Sequence, residues 1–489
     1  MGHLKDRGAT RRIFGDRVGC WDVQADALDA VVGGIRADGG KAEPLMDQPG
    51  LDRLAPESLH GPLAADDGRS ISSTVLGSPT RDSGPRSRRA IVAIGVGAVT
   101  IDTALLGLIA PLLPEIEERT GAGDAALGLA LAAYAAPIVL LSLPLGRAAD
   151  AVGRRALLVA GLILVAIGSL LVAISDSIGI LIAARAVQGV GSAASWISAL
   201  ALVSDMAPPG HRGEALGVAL GATSAGSIAG PALGGVTAQL LSFEAPFLIL
   251  CGLALALMVA ALAVLPHEGA RTTSAVPALP VIIRSTRSGV GAWAAALMLG
   301  GACSLGLVEV VAPLDLNARL GLSSSAIGLL FAASIAVDAA LSPLGGRWGD
   351  RRGRRSPAVT GLAVTAASML ALAVLPGVSG TAVALGIYGA GFSLMMAASV
   401  PWLDEAFPGR ERGLAYGVVN LVYAAGYAIG PILGGLLLAV GDADLAYGLP
   451  AGALAVGALG LTIRSRGLAA TTHVTRKPEA TSEPERCRG

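Results

Sequence analysis

GRAADAVGRR, residues 146–155, and GRWGDRRGRR, residues 346–355, are one short segment written twice at an offset of 200 positions. Gly146, Arg147, Asp150, Gly153, Arg154 and Arg155 return as Gly346, Arg347, Asp350, Gly353, Arg354 and Arg355. The register then holds without a gap. Arg212, Gly213, Gly217, Gly226, Gly230, Pro231, Gly234 and Gly235 return as Arg412, Gly413, Gly417, Gly426, Gly430, Pro431, Gly434 and Gly435. So many matches at one offset mean that the chain contains two copies of one unit.

Each unit is oily. Hydrophobic residues make up 53% of the chain and charged residues 15%. Mean hydropathy is +0.65. From Ala90 to Ile463 the chain is a succession of apolar runs of roughly 20 residues, each enough to cross about 30 Å of hydrocarbon. The spans read as 90–113, 125–146, 156–175, 178–204, 214–241 and 245–265, then 291–313, 323–345, 357–376, 381–403, 413–440 and 445–463. Abundant glycine suits close helix packing in lipid, and the period-2 alternation of an outer-membrane barrel is absent. The expected fold is an all-α membrane protein, with twelve transmembrane helices in two pseudo-symmetric six-helix bundles, 89–265 and 291–464. Six-helix units in the same orientation imply a symmetry axis along the membrane normal. Substrate then sits at their interface near the midplane, and access alternates by rocking.

Charge fixes the orientation. One side carries Arg81, Arg86, Arg88, Arg89, Arg147, Arg154, Arg155, Arg212, Arg271, Arg284, Arg287, Arg347, Arg351, Arg352, Arg354, Arg355, Arg410, Arg412, Arg464 and Arg466, and the other only Arg119 and Arg319. The opposite loops hold Glu115, Glu117, Glu118, Asp442 and Asp444. By the positive-inside rule both termini and the 266–290 linker are cytoplasmic, in an inner or plasma membrane. The polar segments 1–88 and 465–489 read as disordered cytoplasmic tails. A weak amphipathic stretch from Trp21 to Ile35 is the one helix candidate in the first of them, and no signal-peptide core is present.

Several function classes fall away. A formal net charge of zero gives nucleic-acid binding no electrostatic support. Cys20, Cys251, Cys303 and Cys487 have no metal-ligand spacing, and Cys251 and Cys303 read as small packing residues. No phosphate-binding Gly-Lys-Ser/Thr loop is present for ATP use. The chain therefore reads as no enzyme and as holding no metal or cofactor, with a proton gradient as its energy source. Its partners are the bilayer, protons and a small molecule. A complete two-bundle carrier needs no second copy, so a monomer is expected.

Ionisable side chains inside a span cost several kcal/mol on insertion scales and mark function by default. Asp102 lies in span one, Arg185 in span four, Glu309 in span seven and Asp338 in span eight, while Asp404, followed by Glu405, closes span ten. Asp102 and Glu309 sit at broadly corresponding depths in the first helices of the two halves, so both could face one cavity. A carboxyl group in such a place holds either a proton or a cation, which is the simplest basis for exchanging one for the other. A structural ion pair with Arg185 is the competing use of these acids. Tyr134, Trp196, Tyr388 and Tyr423 are aromatic partners for a cation, or core.

The 146–155 segment, with Gly146, Asp150, Gly153, Arg154 and Arg155, resembles the signature of the major facilitator superfamily. Its glycines suit a tight turn and its arginines anchor the loop in the cytoplasm. Asp150 is placed to pair with an arginine or a helix N-terminus. In span five, Gly217, Gly226, Gly230, Pro231, Gly234 and Gly235 resemble that family's antiporter motif, which is associated with exporters. Gly226, Gly230 and Gly234 fall on one helix face, and Pro231 bends the helix. Arg185, with Gln188 and Gly189, resembles the span-four motif whose arginine is implicated in proton coupling. Asp102, Glu309, Asp404, "WLDEAF" and "GYAIGP" are similar to the vesicular amine transporters and their bacterial drug:proton antiporter relatives. Three positions depart from that group: Tyr134 replaces a lysine, Asn420 an aspartate, and Asp338 a tyrosine. The resemblance implies a proton-coupled antiporter exporting small, cationic or amphiphilic drug-like compounds. A symporter or facilitator importing a metabolite, and a non-transporting sensor on a carrier fold, remain alternatives.

Overall fold

The computed structural model describes residues 85–206, 212–266, 289–406 and 412–472. The Trp21–Ile35 stretch, Cys20, Cys487 and most of both tails and the linker lie outside the described residues, as does the side chain of Asp150. The described residues form helices and no strand. They are α1 (Pro85–Leu108), α2 (Asp124–Val152), α3 (Arg154–Ala173), α4 (Ile178–Met206), α5 (Arg212–Leu240) and α6 (Ala245–Val264). The second set is α7 (Gly289–Leu320), α8 (Ser324–Arg352), α9 (Arg355–Val374), α10 (Gly377–Glu405), α11 (Arg412–Val440) and α12 (Ala443–Thr472). A 3-10 turn, Ala110–Leu112, and a short helix, Leu113–Thr120, extend α1. Among the described residues eleven helices are long and apolar enough to cross a membrane, and α5 falls short because its Gly, Ser and Thr dilute its apolar content. Leu253, Val259, Val456 and Leu459 are exposed on the outer flanks, as lipid-facing residues must be.

The helices overrun the hydropathy-based spans. α1 begins at Pro85, inside the segment read as tail, and α12 runs on to Thr472. Proline suits a helix's first turn, and arginine, alanine and leucine are good helix formers whether or not lipid surrounds them. The signature segment is helix rather than loop as far as Val152. The turn is confined to Gly153, at φ +95°, and to Gly353, at φ +83°, a region that favours glycine. Gly146 and Gly346 lie inside helices with open space around them.

Glycine sets the helix contacts. A Cβ on Gly226, Gly230 or Gly234 would strike the carbonyl oxygens of Thr100, Ala104 and Leu108, so α5 lies backbone to backbone on α1. In the second half Gly426, Gly430 and Gly434 meet the carbonyls of Leu299, Cys303 and Leu307 on α7. The glycines repeat at an offset of 200, but their partners on the first helices repeat at 199. The 3-10 turn in α1 accounts for the missing residue. It rises about 2 Å per residue against about 1.5 Å in an α-helix, and three such residues make up about one residue's length.

The bundles meet along two crossed pairs, α2 with α11 and α5 with α8. Gly128 faces the Pro431 carbonyl and Gly435 faces Asp124. In the mirror contact Gly328 faces the Pro231 carbonyl and Gly235 faces Ser324. Ser325 also hydrogen-bonds Gln239. All of these contacts lie toward the acidic end of the molecule. Toward the arginine-rich end, Gly217 and Gly221 on α5 have nothing near them. The interface is closed at one end and loose at the other. Gly230→Ala and Gly430→Ala should each cost about 1–3 kcal/mol by overpacking, read as a lower melting temperature of the purified protein in detergent, while Gly217→Ala should leave it unchanged.

Candidate functional site

A cleft lies between the bundles and is partly open to solvent. Thr103, Gly107 and Ser227 line it from the first half, and Glu309, Asp338 and Tyr423 from the second. Phe331, Tyr388 and Phe392 complete an aromatic wall. Tyr388 stacks on Phe392 with centroids 6.3 Å apart, and its hydroxyl lies 3.0 Å from Ser304 Oγ. α8 brings Asp338 into this wall, and the Ser393 hydroxyl donates to the Asp338 backbone carbonyl.

Glu309 is 4% exposed, and the Tyr427 hydroxyl donates to its Oε2. Tyr427 stacks on Tyr423 at 6.5 Å, one turn earlier on α11. Asp102 is 8% exposed and stands outside the cleft lining. The Tyr134 hydroxyl donates to Asp102 Oδ1 at 3.3 Å and lies 2.9 Å from Ser192 Oγ. Gly189 makes this possible, because a Cβ there would strike the Tyr134 carbonyl. Its absence lets α4 close on α2.

Arg185, on α4, is fully buried. Its guanidinium sits 4.5 Å over the Tyr134 ring, and Nη1 donates to Gln188 Oε1 at 2.9 Å. Gln188 in turn donates to Ser169 Oγ at 3.1 Å. Nε and Nη2 have no hydrogen-bond partner, and among the described residues no carboxylate lies within ion-pair distance of Arg185. One polar cluster therefore joins Asp102, Tyr134, Ser192, Arg185 and Gln188 in the first bundle, and a second joins Tyr427 and Glu309 in the other. A buried cation with two unused donors is costly and is found where function requires it.

The depth reading of the two acids needs correction. In the register that the glycine contacts define, Asp102 stands six residues before Leu108 and Glu309 two residues beyond Leu307. Glu309 is therefore about 12 Å nearer the acidic end, at about 1.5 Å per residue. Counting residues within apolar runs hid this stagger, because hydropathy carries no register.

The remaining expected site residues lie elsewhere. Asp404 is half-buried in the last turn of α10, at the arginine-rich end, and Asn420 is half-buried on α11. Neither lines the cleft. Trp196 packs on the first core. The signature arginines clamp helix ends. Arg154 pairs with Asp205 and donates to the Ala201 carbonyl, and Arg155 donates to the Leu262 carbonyl at 2.7 Å. Arg354 pairs with Asp350 at 2.7 Å and with Glu405 at 3.5 Å, and Arg355 donates to the Thr462 carbonyl. Anchoring in the cytoplasm alone does not describe them, because each fork ties its turn to a neighbouring helix. Tyr427 and Ser192 were not singled out from sequence. Tyr427 is four residues from Tyr423 and thus on the same helix face, a spacing that carries the signal.

These features define a two-bundle membrane carrier with a polar interior at the bundle interface. Residues 92–314 and 294–485 match the Major Facilitator Superfamily. The chain belongs to that superfamily and is a multi-pass membrane transporter. It is 28% identical over 201 residues to a probable vesicular acetylcholine transporter-B of Danio rerio, covering 39% of this chain and 41% of that one. It is 25% identical over 276 residues to the synaptic vesicular amine transporter of Mus musculus, covering 54% and 51%. The chain thus spans about half or less of these vesicular relatives. It is 27% identical over 418 residues to the MFS-type transporter ppzB of Metarhizium majus, covering 69% of this chain and 91% of that one. Among solved structures, a bacterial homologue of the human lysosomal transporter Spinster, inward-facing and occupied, superposes with a TM-score of 0.65 at 16% identity. That match covers 81% of this chain and all of that one, and it bears on the fold alone.

Tyr427→Phe removes the hydroxyl that meets Glu309 and should cost about 1–3 kcal/mol, since a buried acceptor loses its donor. Tyr423→Phe should cost little, because the Tyr423 hydroxyl has no hydrogen bond among the described residues. Melting temperatures of the two variants in detergent check this contrast.

Proposed function

We propose that this chain is a proton-coupled antiporter that exports small organic cations from the cytoplasm by alternating access. The observation that carries the reading is one buried acid in each bundle, Asp102 under the Tyr134 hydroxyl and Glu309 under the Tyr427 hydroxyl, with the buried guanidinium of Arg185 in the same interior. A carboxyl group in that setting is stable when protonated or when a cation faces it, and poorly stable bare. Proton and cation therefore compete for one place.

The excess of arginine at one end puts that end, and both termini, in the cytoplasm of a cell membrane. The loose end of the interface then faces the cytoplasm and the closed end faces out. A cation entering the cleft displaces the proton from Glu309 and is held among the aromatic faces of Tyr388, Phe392 and Tyr423. Rocking about the two crossed helix pairs opens the far side, where protons replace the cation and reset the carrier. Arg185 offers Glu309 a countercharge whenever proton and cation are both absent, so the empty acid does not stand uncompensated. Asp102, sealed behind Tyr134, serves as the proton site of the first half. The likeness to vesicular amine transporters supports an amine-type cargo, and the paired glycine stripes support an exchange mode. No cofactor is required, because the proton gradient supplies the energy, and one chain holds both halves of the machine.

The test is accumulation of a fluorescent organic cation in proteoliposomes. An acid lumen should drive the cation inward. Glu309→Gln and Asp102→Asn should each lower that accumulation by about tenfold or more, as expected for removing a titrating group that the cycle needs, while the protein stays monodisperse. Accumulation driven instead by acid on the outside would overturn the exchange reading in favour of symport.

A further inference from the structure

Two carboxylates, not one, face the cleft. Glu309 enters it from α7 and Asp338 from α8, and the ring of Tyr423 lines the same space. Glu309 has a hydroxyl partner in Tyr427. Asp338 has no ion-pair partner among the described residues, and the Ser393 hydroxyl, which donates to its backbone carbonyl, is also a partner of its carboxyl group.

Charge counting gives this pair a meaning. The interior acids are Asp102, Glu309 and Asp338, and the interior base is Arg185. The tyrosines that face them, Tyr134, Tyr388, Tyr423 and Tyr427, are neutral as phenols. With every acid ionised the interior carries two uncompensated negative charges. A single positive charge leaves one of them standing in a low-dielectric space, where it must take up a proton to be tolerated. An occupant with two positive charges cancels both.

We propose that the cleft is a seat for organic dications, with one positive centre held at Glu309, the other at Asp338, and the aromatic faces of Phe331, Tyr388 and Tyr423 covering the apolar body between them. This rests on the cation-antiport reading above. It also fixes the balance of the exchange. One dication leaves as two protons enter, so the loaded carrier is neutral in both directions and the cycle moves no net charge.

Methyl viologen and methylphenylpyridinium are matched probes, being flat two-ring cations of similar size that differ by one charge. The test measures binding of each to the purified full chain and its uptake into acid-lumen proteoliposomes. Wild type should bind methyl viologen about tenfold or more tightly, given the strength of a second charge contact in a partly desolvated site. Asp338→Asn should abolish that preference by weakening methyl viologen binding at least about threefold more than methylphenylpyridinium binding, and Asp338→Glu should retain it. Equal affinity of wild type for the two probes would overturn the proposal, as would an Asp338→Asn variant that weakens both in parallel. Uptake of the monocation without any dication preference removes this proposal alone. A wild-type protein that moves neither probe under the pH gradient removes the antiport reading along with it.

Discussion

Charge inside hydrocarbon governs this molecule. A carboxylate or guanidinium without water or a counterion costs several kcal/mol, and here four such groups sit between helices that are otherwise oily. The rest of the structure can be understood as the means of tolerating them. Tyr134 and Tyr427 give hydroxyls to Asp102 and Glu309. Arg185 spreads its charge over a tyrosine ring and a glutamine. The glycines at 189, 226 and 230 bring helices close enough for those partners to reach. Remove the close approach and the polar clusters would fill with voids that lipid cannot solvate.

The glycine contacts divide into two sets with different duties. Gly226, Gly230 and Gly234 fix α5 to α1 within one bundle, and their counterparts fix α11 to α7. Gly235, Gly435, Gly128 and Gly328 press the bundles against each other. The first set must hold through any rocking motion and the second must release. The stripe in α5 therefore belongs partly to a permanent joint and partly to a separable one. The arginine clamps at Arg154, Arg155, Arg354 and Arg355 also belong to the permanent class, because each stays within its own bundle.

Much of this was legible in the sequence for a physical reason. Apolar runs of membrane length have few alternatives to a spanning helix, and the 200-residue offset identified two like halves. The intramembrane acids stood out because oil rarely holds them. What stayed hidden was register and partnership. Hydropathy located the runs containing Asp102 and Glu309 but not their depths, which depend on the register that the glycine contacts set between α1 and α5 and between α7 and α11. It gave no sign that Tyr427 would meet Glu309, because a tyrosine in an apolar helix is more often core. Asp404 stands out by its charge and by its match to the span-ten acid of the vesicular amine transporters, and only the structure shows that it sits in the last turn of α10, away from the cleft lining.

The stagger between the two first-helix acids has an electrical side. A membrane potential falls mainly across the hydrocarbon, so groups at different depths sense different shares of it. A separation of about 12 Å in about 30 Å of hydrocarbon spans roughly two-fifths of the drop. At 100 mV this is roughly 0.9 kcal/mol for a unit charge passing from one level to the other. The two halves are alike in fold but unequal in voltage. A cell that is polarised rather than merely acid-bathed would load the deeper and shallower acids differently, because Asp102 and Glu309 occupy different positions along two otherwise equivalent first helices.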